Sequence, residues 1–222
     1  MWAVVPLKEL VGVKQRLGAV LKPHERAGLV LAMLEDVLAA LEATAGLAGI
    51  LLVSRAPEAS ALARRHGIEC FAEAAGADLS ESVQAAGGFL LAHHSATGTL
   101  IVPADVPLAT AHDFAELLAT HDRLTLVPDR EGDGTNCIIS TPPNLIRYRF
   151  DGHSFKPHVE AAFGIGIEPK IVERSRLGLD VDTPDDLREL ARVAPASHTR
   201  TYIERSGIAT RLAHPHNAST AV

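Results

Sequence analysis

The feature that most constrains this chain is a repeated switch in apolar period. Short runs of consecutive apolar residues, typical of strands buried on both faces, alternate with stretches whose apolar residues recur every three or four positions, typical of helices. Ala3-Val4-Val5 is one such run, ended by Pro6. After a polar, basic loop from Lys8 to Lys22, Pro23 stands where a first helical residue belongs. Ala27, Val30, Leu31, Leu34, Leu38 and Leu41 then share one helix face, which closes near Gly46. The pattern continues with strand Ile50–Val53, helix Pro57–His66 stopped by Gly67, strand Ile68–Phe71, and helix Leu79–His94 weakened by Gly87-Gly88. It predicts strand Leu100–Val102, helix Ala111–Thr120, strands Leu124–Val127 and Cys137–Ile139 around a glycine-rich loop, helix Ser154–Phe163 and strand Ile171–Val172. Leu177 to Val181 is a further apolar run, after which Thr183 caps and Pro184 opens the helix to Val193.

Strands alternating with helices in this way predict an α/β fold with a mostly parallel sheet and helices on both faces. Residues 1–194 read as one domain without repeats or an internal linker. Residues 195–212 read as a C-terminal helical extension, with Tyr202, Ile203 and Leu212 in one last helix, and 213–222 as a mobile tail. Ligands of such sheets bind beyond the carboxyl ends of the strands, so the residues just after each apolar run are the candidates for chemistry.

Composition narrows the partners. Lys plus Arg number 21 against 27 Asp plus Glu, a net charge of −6, opposite in sign to what a phosphate backbone attracts, so nucleic acid is not expected. No apolar run reaches the roughly 18 residues needed to span a bilayer, and Met-Trp-Ala-Val-Val-Pro reads as a strand rather than an export signal. Cys70 and Cys137 match no metal spacing and read as small buried residues. A cytoplasmic protein of unknown oligomeric state is expected.

Lys8, Lys14, Arg16 and Lys22 lie in the loop after the first strand, which holds three of the five lysines in the chain. A solvated loop and a phosphate cradle opening into a helix N-terminus both account for them; the glycine spacing of a P-loop or dinucleotide fingerprint is missing. Asp105 is held between Pro103 and Pro107 at the end of a strand, several residues before the next helix, so capping is not its evident role. Asp180 and Asp182 alternate along Leu179-Asp180-Val181-Asp182 and so face one side. Like charges on one face repel unless a cation lies between them. Three aspartates at strand ends with a basic loop form the set expected for Mg²⁺ and a triphosphate, since Mg²⁺ favours one or two carboxylates plus phosphate oxygens.

In Asp129-Arg130-Glu131-Gly132-Asp133-Gly134-Thr135-Asn136, the glycines suit either a hairpin turn or the approach of backbone amides to an anion. Ser154 is either an N-cap or part of a carboxylate site. Of eleven histidines, His158 stands out because it follows Ser154 by one helical turn.

Val5-Pro6-Leu7-Lys8 with Lys14-Gln15-Arg16-Leu17, Pro103 to Leu108, Asp129 to Asn136, and Leu179 to Leu187 resemble, in this order, the motifs of the CofC family. These are the guanylyltransferases of coenzyme F-420 biosynthesis, which join GMP to a small phosphorylated acid. The resemblance runs from Trp2 to about Leu190 and implies a Rossmann-like nucleotidyltransferase fold. It implies Asp105, Asp180 and Asp182 as the metal-binding residues, and Thr135, Gly152 and Ser154 as substrate-binding residues. It further implies Leu7, Lys22, Leu79 and Ser80 as nucleotide-binding residues, with Lys8, Lys14 and Arg16 balancing triphosphate charge in catalysis. The family carries a glycine directly after the residue matching Phe150. Here Asp151 takes that place and Gly152 follows, so an anionic side chain must point away from a carboxylate pocket or be neutralised.

The expected reaction is transfer of GMP from GTP to the phosphate of 2-phospho-L-lactate, phosphoenolpyruvate or 3-phosphoglycerate, with release of pyrophosphate. The downstream deazaflavin phosphoacid transferase is the implied partner. Two rivals stand beside it: another nucleotidyltransferase of this fold, of the molybdenum-cofactor type, which would call for a glycine-rich loop after the first strand, and a noncatalytic nucleotide-binding protein.

Overall fold

A computed structural model describes residues 1–213. Seven strands form one mixed sheet in the order β3-β2-β1-β4-β6-β5-β7. They are β1 Trp2–Pro6, β2 Gly49–Val53, β3 Glu69–Phe71, β4 Thr99–Ile101, β5 Leu124–Pro128, β6 Thr135–Ser140 and β7 Lys170–Ile171. β1 runs parallel to β2 and β4, β2 to β3, and β5 to β7; β6 alone is antiparallel to its neighbours β4 and β5. The helices are α1 Pro23–Glu42, α2 Pro57–His66, α3 Leu79–His94, α4 Ala111–Ala119, α5 Phe155–Gly164, α6 Ser175–Gly178, α7 Pro184–Val193, α8 His198–Arg205 and α9 Ile208–Ala213. Among the described residues no helix is long and apolar enough to cross a membrane.

The period-2 alternation of the strands divides the core into two layers. Ala3, Val5, Leu52, Leu100, Cys137 and Ile139 face the layer filled by α1, α2, α4, α7, α8 and α9. Val4, Leu51, Val53, Ile101 and Ile138 face the layer filled by α3 and α5. β6 can occupy the middle of the sheet because every one of its six residues is buried.

Pro23 and Pro184 begin α1 and α7 as expected, and the Thr183 hydroxyl accepts the Asp186 N–H at 3.3 Å. Three local expectations change. The apolar run Leu177–Val181 begins inside a short helix, α6 at Ser175–Gly178, so Asp180 and Asp182 follow a helical turn and not a strand. The single last helix is two, α8 and α9, broken at Gly207, whose φ of 70° continues no right-handed helix. α9 also carries the extension one residue further, to Ala213; the remainder of the expected tail lies outside the described residues. The Asp36 carboxylate anchors α8 to α1 by accepting the N–H groups of His198 and Thr199 at 2.8 and 2.9 Å.

Candidate active site

β1 is followed by α1 and β2 on one side, while β4 pairs on its other side, so the direction of winding reverses between β1 and β4. In an open α/β sheet this reversal opens a crevice at the carboxyl ends of the two strands. A cleft of ≈ 710 Å³ lies there, and a second groove of ≈ 650 Å³ shares Pro6, Arg16, Leu79, Pro103, Asp105 and Asp182 with it.

Asp105 leaves the end of β4. Its backbone carbonyl accepts the Val181 N–H at 3.1 Å, which lays the Asp180–Asp182 segment alongside. Leu179 and Val181 are buried, so the intervening aspartates face away from the core, as their alternation predicts. Lys14 reaches across from the loop after β1: its Nζ donates to Asp105 Oδ2 at 2.5 Å and to Asp182 Oδ1. Lys14 has a φ of 50°, a left-handed conformation that costs a side-chain-bearing residue of order 1 kcal/mol. Burial alone would push its ammonium down, but the charges of Asp105 and Asp182 outweigh burial and hold it above the usual lysine value. Arg16, largely exposed, lies 3.9 Å from Asp182.

Asp180 is held by Asn136, whose Nδ2 donates to Asp180 Oδ1 at 3.0 Å and to the Leu177 carbonyl at 2.9 Å. Burial pushes the Asp180 carboxyl up to about 6; the Asn136 bond opposes this, and the charges of Asp105 and Asp182 reinforce it. Asn136, which holds Asp180 in place, is not singled out by the sequence reading; its position directly after Thr135 at the start of β6 is the available signal.

Among the described residues no group of three or more His, Cys, Asp or Glu forms a ready-made metal cage. Lys14 stands between Asp105 and Asp182 and neutralises them instead. Asp105 Oδ1 is nevertheless buried without a hydrogen-bond partner among the described residues, and an unpartnered buried carboxylate oxygen suits a cation. A Mg²⁺ there would take Asp105, Asp180 and Asp182 only together with phosphate oxygens. The larger cleft is lined by nine carboxylates and two guanidiniums, Arg16 and Arg130. Arg130 is committed to Asp186 and Glu189 at 2.5 and 2.6 Å. A polyanion entering such a cleft needs added positive charge.

The same cleft is also lined by Thr135, Gly152 and Ser154. The hairpin reading of the glycine-rich loop holds. The Asp133 and Gly134 N–H groups donate to the Asp129 carboxylate at 2.9 and 2.7 Å, so they are not free for an anion. Ser154 does not cap α5: its φ and ψ of −84° and −19° are helical, and its side chain makes no capping bond. Thr135 Oγ1 lies 3.0 Å from His158 Nδ1. Asp151 pairs with Arg149 at 2.6 Å, so its charge is met by a guanidinium.

The structure does not gather every residue of the basic loop. Leu7 and Lys8 line the second groove, and Leu79 lines both. Lys22 is exposed at the start of α1 and lines neither cleft. The α1 N-terminus, where an anion was expected, is filled by the Glu25 carboxylate, which accepts the Lys22 N–H at 2.8 Å and pairs with Arg211 at 2.7 Å. Ser80 accepts the Phe150 N–H at 2.9 Å and lines a separate groove between α3, the 144–149 segment and α5.

Residues 1–222 match the protein family described as guanylyl transferase CofC like. The phosphoenolpyruvate guanylyltransferase of Rubrobacter xylanophilus is 37% identical over 193 residues, 86% of this chain and 93% of that protein. The 2-phospho-L-lactate guanylyltransferase of Methanoculleus marisnigri is 30% identical over 210 residues, 95% of this chain and 90% of that one. Among solved structures, a Desulfovibrio desulfuricans G20 protein with the provisional name nucleotide-diphospho-sugar transferase superposes with a TM-score of 0.75. It does so at 19% identity, over 95% of this chain and 97% of that one, a likeness of fold.

Proposed function

Since this chain belongs to the CofC-like guanylyl transferases, we propose that it transfers GMP from GTP to the phosphate of phosphoenolpyruvate in a step of coenzyme F-420 biosynthesis. Phosphoenolpyruvate is favoured over 2-phospho-L-lactate and 3-phosphoglycerate because the relatives at 37% identity carry that name. The observation that carries the reading is the convergence of Lys14, Asp105, Asp180 and Asp182 at the β1–β4 crevice, in a cleft that Thr135 and Ser154 also line.

In the proposed reaction, a phosphate oxygen of the acid attacks the α-phosphorus of GTP. The bond from that phosphorus to the bridging oxygen breaks, pyrophosphate leaves, and the acid and GMP are joined through a diphosphate. A phosphate monoester is largely dianionic near pH 7, so no general base is needed; the obstacle is repulsion between two polyanions. Asp105, Asp180 and Asp182 would hold Mg²⁺, which when bound offsets charge on the phosphoryl oxygens. Lys14 keeps Asp105 and Asp182 facing one another, and with Arg16 and Lys8 balances triphosphate charge. Leu7 and Leu79 offer apolar surface beside the nucleotide. Thr135, Ser154 and the Gly152 backbone orient the carboxylate end of the acid, so that its phosphate faces the α-phosphorus.

The cytoplasm, where GTP and phosphoenolpyruvate are available, is the proposed location. The deazaflavin phosphoacid transferase downstream is the proposed consumer of the product. The test is to incubate the purified protein with GTP, Mg²⁺ and each acid in turn, with that transferase and its acceptor present to trap the product, and to weigh what forms. A phosphoenolpyruvate-derived product is expected. GTP binding without pyrophosphate release, whichever acid is supplied, would reduce the protein to a nucleotide binder. Asp105→Asn is expected to lower pyrophosphate release by about 100-fold or more; near-native turnover would end the metal assignment.

A further inference from the structure

We propose that His158 is a positioning residue that holds the Thr135 hydroxyl as a hydrogen-bond donor toward the carboxylate of the acid substrate. This deepens the assignment of Thr135 to the acid and rests on it.

His158 lies on α5 and is fully buried. Its Nε2 sits 2.9 Å from the Arg149 backbone nitrogen, which can only donate, so Nε2 must carry a lone pair. A neutral imidazole then has its hydrogen on Nδ1. Nδ1 is 3.0 Å from Thr135 Oγ1, so the hydroxyl oxygen accepts that hydrogen and its own hydrogen must point elsewhere. Among the described residues Thr135 Oγ1 has no other hydrogen-bond partner, and Thr135 lines the cleft beside Gly152 and Ser154. An ionised carboxylate is acceptor-only, so a hydroxyl committed to donating is its complement. The other tautomer would accept from Thr135 and turn the hydroxyl's lone pairs toward the substrate.

Two further features keep the ring in this state. Phe150 and Tyr148 pack edge-on against it, with centroids 5.2 and 6.4 Å away. Burial pushes the imidazole down to about 4, with the Asp151 charge opposing only in part, so the ring is neutral near pH 7. A phenylalanine or leucine would fill the same volume. The two ring nitrogens instead join Thr135 to the 149–152 loop that carries Gly152.

The test pairs two near-isosteric changes with a cycle. His158→Asn places an amide donor near the Nδ1 position, whereas His158→Gln places its amide near Nε2 and leaves Thr135 without a donor. His158→Gln is expected to raise the KM for phosphoenolpyruvate about tenfold with little change in the KM for GTP, and His158→Asn to recover most of that loss. In a Thr135→Val background, His158→Gln is expected to add nothing further. In protein labelled with ¹⁵N-histidine, the His158 signal, assigned by its absence in His158→Asn, is expected to report the Nδ1–H tautomer from pH 6 to 8, whatever the stability of the variants. An Nε2–H tautomer, or equal rises in both KM values for His158→Gln, overturns the proposal. If Thr135→Val raises the phosphoenolpyruvate KM and His158→Gln does not, the proposal fails while the acid site stands. If Thr135→Val leaves that KM unchanged, the assignment of Thr135 to the acid fails, and the proposal with it.

Discussion

The Lys14 ammonium lies 2.5 Å from the Asp105 carboxylate, joining residues 91 positions apart, and the same ammonium also bonds Asp182. With 9% of its side chain exposed, Lys14 is the most enclosed member of this cluster. One cation thus holds together two carboxylates that would otherwise repel.

Replacing that cation separates its two effects. Lys14→Gln is expected to lower pyrophosphate release by about 100-fold or more, as loss of a preorganised charge contact does. The same change removes the competitor for Asp105 and Asp182, so Mn²⁺, followed by electron paramagnetic resonance, is expected to bind the nucleotide-free variant more tightly than the parent. Unchanged turnover would take Lys14 out of the catalytic machinery.

Gly152 has a φ of 92°, and nothing lies within 4 Å of where a Cβ would stand. Gly152→Ala therefore meets no clash and acts only through backbone strain, expected to cost about 1 kcal/mol in urea denaturation. If the strained loop relaxes, the KM for the acid rises while that for GTP does not; steady-state kinetics with each substrate varied in turn reads this split.

His158 makes stability depend on pH. Its pKa is pushed down to about 4 in the folded protein from an ordinary value of 6.5. Between those values the unfolded chain binds a proton that the native protein does not. The stabilisation is complete above pH 6.5 and is lost as pH falls through the window toward 4, roughly 3 kcal/mol in all. Asp180 opposes it: its carboxyl, pushed up to about 6 from 3.8, favours the native state below 3.8, and that contribution is lost as pH rises through 6. Urea melts between pH 4 and 7 are expected to show a steeper acid loss for the native sequence than for His158→Asn. Parallel curves would show that His158 titrates normally in the folded state.

Gly28 lies inside α1, where alanine would ordinarily stabilise a helix by about 1 kcal/mol. A Cβ there would fall 2.3 Å from Tyr202 Oη, which donates to the Glu25 carbonyl at 3.1 Å. Gly28→Ala is expected to destabilise instead, by about 1–3 kcal/mol through overpacking of α8 against α1. Calorimetry checks the sign: a higher melting temperature would mean that Tyr202 gives way without cost.

How far the chain could be read in advance varied with the range of the interaction. The alternation of strands and helices, Pro23 and Pro184 at helix starts, and Asp180 and Asp182 on one side were legible, because each depends on residues a few positions apart. The α6 helix was misread because Leu177 to Val181 is apolar at every second position and fits either period over so short a span. Ser154 was open between a cap and part of a carboxylate site, and its observed backbone angles rule against the cap.

What the sequence determined alone is the α/β alternation and the motifs of a CofC-like guanylyl transferase, since period, capping and motif spacing are local and survive in the bare chain. The tertiary structure decided that β6 enters the sheet antiparallel between β4 and β5, that Lys14 rather than Lys22 reaches the aspartates, and that Glu25 fills the N-terminus of α1. It also decided that Asn136 and His158 stand behind Asp180 and Thr135. Each of these outcomes depends on which buried polar group finds a partner when distant segments close on one another, and that competition takes place only in the folded protein.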